Sequence, residues 1–265
     1  MHEMKRDEFQ KVTSWLSVLD PVVNHDRARK KHEPGTEEWL LKSDIFQHWT
    51  TRRGSSVWLH GIPGAGKTIL CSTIVELVKR LCKGSAAEYA YFYFDFNDSQ
   101  KRVPVNMLRS ILAQLCVHRN VILPAVQKLY SSHEKGAVTP SMDSLLRVLP
   151  SAIGGSQQVF MVLDALDECE NREDLFKILA EFLRIPEVNL LLTSRKERDI
   201  TDVLQTSVEL QIHIESQLVD ADVEVHVQRC LETDNRLKKW PNSVKEEMNE
   251  ALIKGAHGRL VYVLC

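Results

Sequence analysis

The 265-residue sequence has no apolar run long enough to span a bilayer, which excludes a membrane-spanning helix. Its first ten residues, MHEMKRDEFQ, are charged and lack the apolar stretch of a signal peptide. Neither sign of charge is in excess. Lys and Arg total 34 against 36 Asp and Glu, so the electrostatic footprint of a nucleic-acid-binding or DNA-translocating protein is missing. The six cysteines, Cys71, Cys82, Cys116, Cys169, Cys230 and Cys265, include no CxxC pair and mostly sit in apolar periodic segments; they read as reduced thiols of a cytoplasmic protein. The ten histidines form no HxxxH motif and no Cys/His cluster, which argues against a structural zinc site. Internal repeats and low-complexity segments are also lacking.

What is present is a folded-protein composition, 43% hydrophobic, at a length that suits one large domain with a small appendage. Residues 1–54 read as an N-terminal helical and linker segment. Phe9, Val12, Leu16 and Leu19 share a helix face that Pro21 ends; a polar, basic stretch runs to Lys31, and Glu33-Pro34-Gly35 makes a turn. From 55 to 214 strands and helices alternate. Val57–His60, Tyr89–Asp95, Val159–Leu163, Val188–Thr193 and Val208–Ile212 are the expected strands, nearly continuous in apolar character as buried parallel strands are. Leu70, Ile74, Leu77, Val78 and Leu81 repeat at helix spacing after the first of them. The predicted fold is α/β, with a five-stranded, mainly parallel sheet flanked by helices. Residues 215–265 predict the start of a small helical subdomain. Asp222–Leu231 is helical in pattern, and Ser243 with Glu246 forms a capping box after Pro241 that opens a helix ending near Gly255. The apolar stretch Leu260–Cys265 stops abruptly, as expected of a fragment of a longer chain.

Gly61-Ile62-Pro63-Gly64-Ala65-Gly66-Lys67-Thr68 matches GxxxxGK[ST], the phosphate loop of P-loop NTPases. Glycines let the backbone curl so that successive N–H groups face phosphate oxygens, and the helix that follows adds its positive end. Lys67 is expected on the β and γ phosphates and the Thr68 hydroxyl on Mg²⁺. Ile69 closes the nucleotide-binding stretch, while His60 and Pro63 shape the turn. The apolar run Val159–Leu163 then delivers Asp164, the second expected Mg²⁺ partner, acting through water because Mg²⁺ dehydrates reluctantly. Ala165 follows in place of the common second acid. Asp167 and Glu168, three and four positions on, are candidates to polarise an attacking water; equally, they suit the first turn leading to the next helix, which Asn171 and Asp174 open. The run Leu190–Leu192 ends in Thr193, Ser194 and Arg195. Arg195 is the expected γ-phosphate cation, with Arg198 competing, and Thr193 or Ser194 the expected contacts of the lytic water.

GIPGAGKT, FMVLDALDE and LLLTSR, in that order and with an extra strand between the first two, resemble the NACHT domains of STAND-class P-loop NTPases, especially those of fungal multidomain signalling proteins. The acids displaced past Ala165 are the specific part. Gly35-Thr36-Glu37-Glu38-Trp39 resembles the segment that closes over the base in that family. Asp222–Trp240 and GAHGRLVYVLC resemble its helical subdomain. The resemblance implies a molecular switch, closed with ADP and open with ATP (GTP in some), that oligomerises on activation and hydrolyses slowly. It also implies an effector and WD40 or ankyrin repeats outside this fragment, and a role in non-self recognition and cell death. A module that binds nucleotide and oligomerises without turnover is the alternative. A small-molecule kinase would bring an arginine-rich lid, which this sequence lacks.

Overall fold

The computed structural model describes residues 2–17, 19–214, 227, 229–231 and 237–256. Five strands make one wholly parallel sheet in the order β2-β3-β4-β1-β5: β1 Ser56–His60, β2 Ala87–Tyr93, β3 Gln158–Asp164, β4 Val188–Ser194 and β5 Leu210–His213. The expected strands are all present. The second lies two residues earlier than the sequence pattern suggested, so that Asp95 falls in the loop after it, and Val208 precedes β5. The central strands carry apolar runs because both sheet faces are covered, with most of their polar residues at or near the strand ends. Trp58, Met161, Leu163, Leu190 and Leu192 face one layer; Val57, Leu59, Phe160, Val162 and Leu191 face the other.

The first layer is built from α1 His2–Leu16, α6 Pro104–Arg119, α7 Pro124–Ser132, α8 Met142–Ile153, α9 Arg172–Leu183 and α10 Arg198–Ser207. Buried Val12 and Leu16 of α1 belong to this layer, so the N-terminal helix is part of the core. The second layer holds α3 Glu38–Leu41, α4 Asp44–Thr51 and α5 Lys67–Cys82. Local chemistry starts these helices. Ser43 accepts from Phe46 N, Ser141 from Ser144 N and Asn171 from Asp174 N, and Pro104 and Pro124 occupy first helical positions. Edge strand β2 is capped by a side chain. Gln114 accepts from Tyr91 N at 3.0 Å and donates to Tyr91 O at 2.8 Å, occupying backbone groups that an edge otherwise leaves free.

Two readings of the chain termini change. The basic stretch after Pro21 is a helix, α2 Val22–Arg29, with almost no apolar face. It is held by polar contacts instead: His25 Nδ1 lies 3.0 Å from the Tyr93 hydroxyl and His25 Nε2 2.7 Å from Glu76 Oε1, while Arg29 donates to Thr73 at 3.0 Å. Near the C-terminus, the helix Asn242–Ala256 starts before the expected capping box. The Pro241 carbonyl accepts from Val244 N and Lys245 N, which leaves Ser243 within the first turn. Of the expected Asp222–Leu231 helix, residues 227 and 229–231 are helical, and Val227 and Leu231 are buried in the second layer; the rest of it and the apolar stretch Leu260–Cys265 lie outside the described residues.

Candidate functional site

The carboxyl ends of β1, β3 and β4 meet at one edge of the sheet, where ligands bind in open α/β folds. From β1 the chain enters the loop Gly61–Gly66. Gly64 and Gly66 both have positive φ, 83° and 82°, a conformation that side chains with a Cβ resist. Gly66 is the N-cap of α5, so the first-turn amides of the helix, which have no intrahelical acceptor, open onto the same crevice as its positive dipole end. Gly61 is needed for a different reason: a Cβ there would stand 3.1 Å from Ile214 Cβ. Lys67 arches back over the loop, its Nζ donating to the carbonyls of Gly61 and Ile62, each at 2.9 Å. Burial pushes its pKa down, against the pull of Asp167 and Asp164. Gly61 and Ile62 therefore engage the lysine with their carbonyls and do not line the crevice, whereas Pro63 through Ile69 do.

Asp164 ends β3 and is 1% exposed. The Thr193 hydroxyl donates to its Oδ1 at 2.5 Å and accepts from Ala165 N at 2.9 Å. That second bond pins Ala165, which sits in the left-handed region at φ 58° and turns the chain so that the following acids point back to the crevice. Burial raises the Asp164 pKa, while hydrogen bonds from Thr193 and Thr68 and the charge of Lys67 hold it down. Thr68 and Asp164 thus bring two oxygen donors together beside a lysine. Such a pair fits Mg²⁺, which takes one or two protein oxygens and keeps its other waters.

The two displaced acids are in different situations. Asp167 is gripped by Arg195, which reaches Oδ1 with its backbone N–H at 2.9 Å and Oδ2 with its guanidinium Nε at 3.0 Å. Glu168 accepts from Phe96 N at 2.9 Å, and burial together with Asp167, Asp164 and Asp95 raises its pKa. Arg195 and Thr193 both line the crevice. Ser194 does not: it is buried, accepts from Trp58 Nε1 at 2.9 Å and donates to the Arg195 carbonyl. Arg198 sits on α10 with its side chain 95% exposed, facing Asp202 away from the crevice. His60, on the opposite face of β1 from the loop's contacts, is stacked between Trp58 and His213 and has no part in the crevice.

These groups surround a cavity of about 340 Å³. Sequence comparison identifies the frame that builds it. The profile of the nephrocystin 3 N-terminal family matches residues 35–195, from the turn before α3 to the end of β4. The chain belongs to the nephrocystin 3 N-terminal family. This NACHT-related family accounts for the likeness of the three motifs to NACHT domains. The vegetative incompatibility protein HET-E-1 of Podospora anserina is 24% identical over an alignment of 266 positions that covers 94% of this chain and 19% of the relative's own length. The chain spans about a fifth of that relative.

The nephrocystin 3 N-terminal match leaves out one wall of the cavity. Asn24, Arg27 and Ala28 of α2 and Lys31 in the turn after it line the crevice, as do Asp95, Phe96 and Asn97 after β2. Sequence reasoning missed both. The signal for the first was there in the spacing 24, 27, 28 and 31, one face of a helix, but the face is polar and reads as solvated. The second had no signal, since its role comes from the β2–β3 pairing that aligns Tyr93 with Asp164.

Proposed function

We propose that the chain is a nucleotide-dependent switch that binds ATP or GTP with Mg²⁺, hydrolyses it slowly, and through its nucleotide state governs self-association of a larger signalling protein. The observation that carries this reading is the meeting of the Thr68 hydroxyl, the Asp164 carboxylate and Lys67 at the N-terminus of α5, beneath a glycine loop. Loop amides and Lys67 hold the phosphates, and Gly64 to Thr68 orient them. Mg²⁺, held by Thr68 and Asp164, supplies charge neutralisation at the phosphate oxygens when bound. Glu168 is the acid suited to accept a proton from water, because burial brings its pKa toward neutrality and its neighbour Asp167 is committed to Arg195. Slow turnover follows from that same commitment: the guanidinium that would neutralise charge on the terminal phosphate is already paired. The Asp167–Arg195 pair also favours a second reading, a binding-only oligomerisation module in which Arg195 never reaches the phosphate. Effector and repeat domains, and a cytoplasmic setting, belong to the whole protein and are part of the proposal.

The test is mass analysis of nucleotide released from protein purified gently, with Mg²⁺-dependent binding measured by calorimetry. The switch reading expects bound nucleoside diphosphate and loss of binding in Lys67→Ala. An empty protein without Mg²⁺-dependent affinity for ATP or GTP would overturn it. Wild type that binds but never turns over ATP or GTP selects the binding-only module.

A further inference from the structure

The cleft has a wall that lies outside the residues matched by the family profile. α2 presents Asn24, Arg27 and Ala28 to the cavity, and Lys31, one turn past Arg27, continues the stripe. The spacing i, i+3, i+4, i+7 puts all four on one side of a helix. Ala28 stands in the middle of the stripe and is 5% exposed; its small side chain lets the helix approach closely. The opposite side of α2 is clamped. His25 bridges the Tyr93 hydroxyl and the Glu76 carboxylate, and Arg29 bonds Thr73 of α5. The stripe is therefore presented from a docked element, with its two cations lining the cavity.

The charge around the cavity gives those cations a task. Asp95, Asp164, Asp167 and Glu168 line it, and so do Lys67, Arg195, Arg27 and Lys31. Two of these four cations come from α2 and the turn that follows it, Arg27 from the helix and Lys31 from the turn. Of the other two, Arg195 is paired with Asp167 and Lys67 is bonded to loop carbonyls. Arg27 stands beside the acids that follow β2 and β3. Its Nη1 lies 3.6 Å from Asp95 Oδ2, Asn24 Nδ2 donates to the same oxygen at 2.9 Å, and Asp95 is near enough to Glu168 to influence its ionisation. The Arg27 side chain is 64% exposed and its contact with Asp95 is long, so it is free to turn toward an incoming anion.

We propose that Arg27 and Lys31 are ligands of the terminal phosphate, so that α2 and the turn after it distinguish a bound triphosphate from a diphosphate. This rests on the nucleotide-binding reading above and adds the element that reads the nucleotide state. A triphosphate draws Arg27 from Asp95 onto its γ oxygens, with Lys31 one turn away adding a second positive charge. A diphosphate leaves both cations where they are.

The experiment compares Mg²⁺-ATP and Mg²⁺-ADP affinities, by calorimetry, in the wild type, in Arg27→Ala/Lys31→Ala and in Lys30→Ala. Lys30 is exposed, carries the same charge and does not line the cavity. The double variant is expected to lose ATP affinity by about tenfold or more, the scale of charge-assisted contacts to phosphate, with ADP affinity changed by less than about twofold. Lys30→Ala is expected to resemble the wild type for both. Equal weakening for ATP and ADP, or no weakening, overturns the assignment, as does the same loss in Lys30→Ala. Thermal unfolding without nucleotide checks that the double variant is folded; if it is not, the single variants Arg27→Gln and Lys31→Gln carry the same comparison. A wild type that binds neither nucleotide removes the nucleotide-binding reading itself, and this proposal with it.

Discussion

His60 makes the stability of this domain depend on mild acid, and the dependence can be isolated by one substitution. Its ring is 5% exposed at the end of β1, wedged between Trp58 at 4.4 Å and His213 at 5.0 Å between ring centres. Among the described residues its Nδ1 has no hydrogen-bond partner. Burial pushes its pKa down to about 4, helped by the charges of His213, Lys196 and Lys67. In the unfolded chain the value is about 6.5. The unfolded state therefore binds the proton more tightly, and stability falls as pH drops from about 6.5 toward about 4. The full difference of about 2.5 pK units corresponds to about 3 kcal/mol, of which about 2 kcal/mol is already lost at pH 5. In His60→Phe the ring remains and the proton site goes. Urea unfolding of both proteins at pH 7 and pH 5 gives the measurement, since the difference between them cancels every other titrating group, including Asp164 and Glu168. The wild type should lose about 2 kcal/mol more than the variant between the two pH values. If both lose the same, or if an NMR titration places the His60 pKa near 6.5, the ring is hydrated and the reasoning from burial fails.

Three further outcomes follow from the cleft. Thr193→Val keeps shape but removes the donor to Asp164 and the acceptor for Ala165 N, and should cost about 2–4 kcal/mol in chemical unfolding, with Thr193→Ser costing less; equal stability for Val and Thr would mean that neither bond matters. Gly66→Ala forces a Cβ into a left-handed N-cap at φ 82°, which should lower stability by about 1–2 kcal/mol and abolish nucleotide binding; retention of wild-type affinity would contradict the phosphate role of the loop. Glu168→Gln should retain nucleotide affinity within a few fold and lower single-turnover hydrolysis by about 100-fold, while unchanged hydrolysis would remove Glu168 from the chemistry.

Much of the frame was legible in sequence because its signals are local. Apolar runs bounded by glycine or by polar residues marked the strands, most clearly β1, β3 and β4, since the middle of a strand buried on both faces does not tolerate charge. GIPGAGKT marked the loop because positive φ at Gly64 and Gly66 demands glycine wherever the loop occurs. Asn171 marked the start of α9 through its own side-chain bond. The α2 helix escaped because its partners, Glu76, Thr73 and Tyr93, are 44 to 68 residues away and polar, and because the residues toward the cleft are mostly polar or charged. Reasoning from residue type also put Ser194 and Arg198 among the candidates for the crevice. Strand alternation turned Ser194 to the Trp58 side, and the helical start at Arg198 carried that side chain into solvent.

The sequence by itself determined the parallel α/β frame, the phosphate loop and the carboxylate at the end of β3, because each depends on residues adjacent in the chain. Tertiary structure alone decided the roles around them. It gave Asp167 to Arg195 and left Glu168 beside Phe96 N; it tied Asp164 to Thr193, and it brought Arg27 and Lys31 to the cleft. Those roles depend on which strand ends lie side by side. The order β2-β3-β4-β1-β5 inserts β4 between the acid-bearing strand and the loop-bearing strand, and so brings together side chains that the sequence holds far apart.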